Sequence, residues 1–189
     1  MIRKAREKDR DEVAKLIYLI WQGLDTPMVR EIEKERLLRI IQLSMSEVKY
    51  RSHIDHTWVC ELEGRVAGFL IAYPGQYEMQ LEHAWLDLDL DEDIKAYGLP
   101  MPTKEARDDE YYIESIATFP EFRGRGVATH LIQAIIQAHP YEKISLNCDK
   151  SNDKALRLYK KLGFLIDSEI DLYHHDHYHM IYESDRKDS

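Results

Sequence analysis

Two glycines one residue apart, in Arg123-Gly124-Arg125-Gly126-Val127-Ala128, mark the stretch of this 189-residue chain that most directly suggests chemistry. Glycine lets backbone approach a bulky anion closely, and a helix starting there aims unpaired N–H groups at it from its positive end. Such a turn suits a pyrophosphate, although a plain strand-to-helix connection would use the same residues. A second candidate cluster is His174, His175, His177 and His179. His175, His177 and His179 alternate, so in a strand they share one face, as ligands of a metal would. No cysteine and no helical His-Glu pattern accompanies them, so they read as a hairpin with a solvated tip and no metal. Cys60 and Cys148 each sit in an apolar, strand-like stretch and read as buried free thiols rather than as a nucleophile or a disulfide.

The elements that must position these residues follow from periodicity. Ile2 to Ala5 predicts a short first strand. Asp9 opens a helix in which Val13, Leu16, Ile17, Ile20 and Leu24 recur at three- and four-residue spacing until Thr26-Pro27. Val29, Ile32, Leu37, Ile40 and Ile41 predict a second amphipathic helix. Residues 57–62 and 65–73 predict a hairpin around Glu63-Gly64. Residues 76–109 are irregular and acidic; they predict a solvated insertion or a lid over a substrate pocket. Tyr111 to Thr118 predicts a strand leading to the glycine turn. A helix from Val127 to Ala138 follows, then a strand from Ile144 to Cys148. A helix from Asn152 is closed by Gly163, and a final strand pair covers 164–172 and 178–183.

Composition narrows the class. The chain is 44% hydrophobic and 32% charged, as in ordinary globular proteins, and its length suits one domain. No apolar run approaches the roughly 20 residues of a membrane helix, and the basic start is followed by no apolar signal region, so a cytoplasmic setting is expected. A formal charge of −9 argues against a nucleic-acid partner, which would call for a basic face, and is compatible with a cationic substrate.

Three phosphate-binding schemes can be set against the glycine turn. A Walker loop requires a Gly-Lys-Ser/Thr that the chain does not contain. A dinucleotide fingerprint would place its third glycine at Thr129; Asp149, about 20 residues on, would be its ribose-binding acid. There the glycines should follow their strand at once, whereas Phe119 to Arg123 intervene, and about 40 residues after Asp149 are too few to finish a doubly wound sheet. The third scheme matches at every fixed position. Arg123-x-x-Gly126-x-Ala128 resembles the pyrophosphate motif of the GNAT acetyltransferase superfamily, Arg/Gln-x-x-Gly-x-Gly/Ala. Asn152-x-x-Ala155-x-x-Leu158-Tyr159-x-x-x-Gly163-Phe164 resembles that family's second cofactor motif. Ile2-Arg3-x-Ala5 with Asp9, and the late His179-Met180, look like the family too.

The resemblance implies an α+β fold: a single domain over 1–189 with an insertion at about 76–109. A central mixed, mostly antiparallel sheet would be splayed between the strands ending at Thr118 and Cys148 and flanked by helices. It implies transfer of an acetyl group from acetyl-coenzyme A, with no metal, to a primary amine that attacks directly in a ternary complex. The acceptor is a small-molecule or protein amine; no nucleic acid or membrane is implied, and a homodimer is left open. Backbone groups of Ile116, Ala117 and Thr118 would hold the pantetheine and thioester. Those of Arg123, Gly124, Arg125, Gly126, Val127 and Ala128 would hold the pyrophosphate. Asn152 would bond the cofactor arm or cap its helix. Tyr159, which also borders the cofactor, would protonate the departing thiolate. Glu114 would be the general base, with Glu110 or a water chain as substitutes. A catalytically silent acyl-coenzyme-binding module is the alternative, with the dinucleotide-binding oxidoreductase a remoter one.

Overall fold

The structure, a computed structural model, describes residues 1–184. Seven strands form one sheet in the order β1-β2-β3-β4-β5-β7-β6. They are β1 Ile2–Lys4, β2 Thr57–Leu62, β3 Arg65–Pro74, β4 Tyr111–Thr118, β5 Ile144–Asp149, β6 Leu165–Leu172 and β7 His175–Tyr182. Only β4 and β5 run parallel; every other neighbouring pair is antiparallel. This is the expected mixed, open α+β sheet, and it contradicts the doubly wound parallel sheet that a dinucleotide reading requires.

Two layers cover the sheet. The helices are α1 Arg10–Gly23, α2 Pro27–Glu31, α3 Lys34–Ser44, α4 Glu78–His83, α5 Glu92–Lys95, α6 Val127–Ala138 and α7 Asp153–Lys161. The strand period of two sorts β3 between the layers. Phe69, Ile71 and Tyr73 pack with Val13, Leu16, Ile41 and Trp85, while Leu70 and Ala72 pack with Leu131, Ile135 and Met180. Burial on both faces explains why β3 reads as an almost unbroken apolar run. Cys60 and Cys148 are buried free thiols.

Two expectations need correction. The apolar spacing from Val29 to Ile41 predicts one helix, but the chain forms two. Ile32 is extended, with φ −93° and ψ 136°. The Glu33 carboxylate accepts from the N–H groups of Glu35 and Arg36, so α3 starts afresh there. Residues 76–109 are not a solvated loop. Leu81, Trp85, Leu88 and Ile94 enter the core, and Glu78, Glu82 and Glu105 are buried. Of the acidic stretch, Asp91 and Asp93 are exposed and pair with Arg36 at 2.8 and 2.6 Å. The ends of the segment close on Gly75, whose N–H donates to Glu110 O at 2.7 Å. A Cβ there would lie 2.1 Å from Arg107 O, so only glycine permits this closure.

Candidate active site

The parallel ladder between β4 and β5 is short. Tyr111, Tyr112 and Ile113 pair with Ile144, Ser145 and Leu146, and there it stops. At the same level the β3–β4 register slips: Ile71 faces Ser115 while Ala72 faces Ile113, leaving Glu114 as the extra residue of a β-bulge. Beyond it, Ser115–Thr118 stay with β3, whereas Asn147–Asp149 follow β7. The strands therefore part at Glu114, and the free edge of β4 presents backbone groups that need partners.

A cleft of about 560 Å³ opens at this divergence. Ile116, Ala117 and Thr118 line one wall; Arg123, Gly124, Gly126, Val127 and Ala128 close one end; Asn152 and Tyr159 of the α7 segment form the other wall. Gly124 and Gly126 have φ of +75° and +77°, the left-handed region that L side chains avoid. Gly126 is the N-cap of α6, so the first N–H groups of that helix face the cleft without intrahelical acceptors. The fit to a pyrophosphate thus rests on backbone geometry. Arg125 differs from its neighbours. Its guanidinium lies 2.8 Å from Glu63 and over the Phe122 ring, away from the cleft wall.

Asn152 does cap α7, its Oδ1 accepting from the Ala155 N–H at 3.1 Å, and it borders the cleft as well. Tyr159 is 8% exposed and packs against Phe164. Among the described residues its hydroxyl makes no hydrogen bond. Burial raises its proton affinity, with the neighbouring Cys148 thiol adding to the effect, so the phenol stays neutral at pH 7.

Glu114 points away from that cleft, into a narrow cavity that it shares with Ile17, Ile20, Trp21, Tyr50 and Arg51. Ile20 belongs to both spaces. Trp21 carries the wall onward to an outer pocket of about 650 Å³, bordered by Leu24, Pro27, Tyr97, Leu99 and Tyr173. Glu114 Oε1 is 3.1 Å from Arg51 Nη1, and burial pushes its carboxyl up to about 8 against the pull of Arg51. Glu110, the substitute base, is buried beside His179 at 2.9 Å on the far side of the divergence. His179 is thereby a core residue, while His174 and His175 at the hairpin tip are exposed. Among the described residues, no three His, Cys, Asp or Glu side chains converge as a metal site would require.

Sequence reasoning missed two parts of the site. Leu16, Leu19 and Ile20 of α1 line the cleft, yet in sequence they are one stripe of an amphipathic helix. Arg51 lies in irregular chain before β2, and no motif distinguishes it. Among the described residues, no helix is long and apolar enough to cross a membrane.

Residues 21–164 match the model of the acetyltransferase (GNAT) family. The chain resembles an N-acetyltransferase from Staphylococcus aureus Mu50 at 47% identity, with a TM-score of 0.93 over 96% of this chain and all of that one. A second solved acetyltransferase is 25% identical, with a TM-score of 0.83 over 98% of this chain and all of the other. An N-alpha-acetyltransferase of Sulfurisphaera tokodaii is 26% identical over 147 residues, 71% of this chain and 76% of that protein. With a splayed mixed sheet, a glycine turn at the head of α6 and this match over most of its length, the chain belongs to the GNAT family of acetyltransferases and is an acyltransferase.

Proposed function

We propose that the chain transfers an acetyl group from acetyl-coenzyme A to a primary amine by direct attack in a ternary complex, without a metal. The observation that carries this reading is the parting of β4 and β5 at Glu114 beside the left-handed glycine turn. One space offers strand-edge amides, orphan helix N–H groups and a free phenol. We read residues 1–189 as one N-acetyltransferase domain carrying the 76–109 insertion, working in the cytoplasm.

Acetyl-coenzyme A supplies the activated thioester when bound. The free edge at Ile116, Ala117 and Thr118 would bond the pantetheine amides, and the N–H groups between Arg123 and Ala128 would hold the diphosphate. The acceptor would enter from the outer pocket beyond Trp21. An alkyl amine with pKa near 10.4 is almost wholly protonated at pH 7. Glu114, with its raised carboxyl, would take that proton. A backbone N–H near Thr118 would stabilise negative charge on the transferring carbonyl. As the C–S bond breaks, Tyr159 would give its proton to the sulfur, and the second proton lost from the nitrogen would restore the phenol.

The test is thiol release from acetyl-coenzyme A against a panel of polyamines, amino sugars and peptides with free N-termini. The panel includes peptides because the Sulfurisphaera relative is an N-alpha-acetyltransferase. Turnover of one class supports the reading; tight cofactor binding with no turnover across a wide panel would favour a silent binding module.

A further inference from the structure

Three carboxylates contact a single buried guanidinium, and a fourth is buried close by. Arg51 is 1% exposed. Its Nη1 lies 3.3 Å from Glu78 Oε2 and 3.1 Å from Glu114 Oε1, and its Nη2 donates to Met101 O at 2.7 Å. Its Nε is 2.7 Å from Glu82 Oε2, a charge contact outside hydrogen-bond geometry. Glu105, also buried, lies in the same field. Lys104 is the other cation near, 3.8 Å from Glu78 and 43% exposed. Further polar neighbours are the hydroxyls of Tyr50 before β2, Tyr73 on β3, Tyr112 on β4 and Tyr173 in the β6–β7 turn, with Ser52 and Ser115 lining the cavity and the Asn147 amide on Tyr112 OH. Helix α1 contributes only Ile17, Ile20 and Trp21 to the cavity.

The donors are shared unequally. Glu78 Oε1 accepts from the N–H groups of Glu105 and Ala106 at 2.9 and 3.0 Å, besides its contact with Arg51. Glu82 accepts from the Met101 N–H at 2.6 Å. Glu105 accepts from Tyr112 and Tyr173 at 2.7 and 3.0 Å. Among the described residues, Glu114 has Arg51 alone. A buried site with more carboxylates than cations holds a proton on the carboxylate with the fewest donors. Glu78, Glu82 and Glu105 all come from the 76–109 insertion, whereas Glu114 belongs to the sheet.

We propose that this insertion is the electrostatic controller of Glu114: Glu82, which shares Arg51 with it, and Glu105, buried close by on the Tyr112 and Tyr173 hydroxyls, determine the pH at which it gives up its proton. They are positioning residues, and their effect on catalysis rests on Glu114 being the general base.

The experiment titrates the Glu114 carboxyl directly, as the infrared C=O band that Glu114→Gln abolishes, alongside the pH profile of kcat/KM. Glu105→Gln and Glu82→Gln each remove one negative charge while keeping a side-chain acceptor. In both, the Glu114 titration should fall by about one unit, a tenfold change in proton affinity, and the rising limb of kcat/KM should move with it. General loosening of the fold gives no reason for the same downward shift from two separate positions. A carboxyl titration that moves while the rate profile stays put supports the control and removes Glu114 from proton transfer. An unmoved titration in both folded variants overturns the control, whatever the rates do.

Discussion

His179 Nε2 lies 2.9 Å from Glu110 Oε2, and the two side chains are 3% and 0% exposed. The other ring nitrogen faces Asn147 Oδ1 at 2.7 Å, and the Asn147 amide donates onward to Glu105 O and Tyr112 OH. Burial, the largest single effect, raises the Glu110 carboxyl, but the bond to His179 acts with the neighbouring Ser145 hydroxyl and Arg107 N–H, and together they hold the carboxyl below its usual range. A carboxyl depressed by folding stabilises the fold above its unfolded pKa, near 4.3, and that contribution is lost as pH falls through the folded value. Glu110→Gln should therefore cost about 1–3 kcal/mol at pH 7 and proportionally less below pH 4. Urea unfolding at the two pH values checks this; an equal loss at both would contradict the coupling.

At Gly126 the demand is conformational. With φ +77° at the N-cap of α6, any L side chain adds strain, and a Cβ there would sit 3.2 Å from the His130 ring. Gly126→Val should also hold phosphate away from the helix N–H groups. Coenzyme A affinity should drop at least about tenfold, or 1.4 kcal/mol. Calorimetry on the folded variant is the measurement, and unchanged affinity would take the turn out of cofactor binding.

Tyr159→Phe keeps the buried ring and removes only the hydroxyl. If that hydroxyl protonates the departing thiolate, turnover should fall about 10²- to 10⁴-fold with coenzyme A binding little changed. The comparison must be made where chemistry is rate-limiting, since wild-type turnover there would leave the tyrosine a packing residue.

Glu114 must be ionised to take a proton, and its carboxyl is raised to about 8. The rate should therefore climb through that region as pH increases, in addition to any limb from the acceptor amine. Glu114→Gln should lower kcat/KM about 10²- to 10⁴-fold and abolish this limb while the amine's own remains. A profile that keeps both limbs in the variant assigns the first to another group.

Much of the fold is legible in the sequence because its signals are local. The Glu63-Gly64 turn, the almost unbroken apolar run of β3 and the left-handed Gly163 each follow from neighbouring residues. The cleft is legible for the same reason: Gly124, Gly126, Asn152 and Tyr159 sit in two short motifs. What stays hidden depends on contacts between distant segments. Nothing near Arg51 announces that Glu78, Glu82 and Glu114 will converge on it. The break at Ile32-Glu33 escapes the helical count because Ile32 is buried as the period requires, 8% exposed. Glu114 could be placed on its strand, but which way it faces depends on the bulge opposite Ile71 and Ala72.

Helix α1 touches all three cavities in turn. Leu16 and Ile20 border the cleft, Ile20 and Trp21 the narrow cavity, and Trp21 with Leu24 the outer pocket. From Leu16 to Trp21, at 1.5 Å per residue, the helical contacts span about 8 Å of one rod, and Leu24 follows at its C-cap. If coenzyme fills the cleft and the acceptor the outer pocket, as proposed, a displacement of that helix by one guest would be felt by the other, and the two occupancies would share a coupling free energy. Thermodynamic reciprocity then fixes its form: the factor by which bound coenzyme changes acceptor affinity equals the factor by which bound acceptor changes coenzyme affinity. Shortening Trp21, the residue common to the inner and outer cavities, would alter both factors by the same amount.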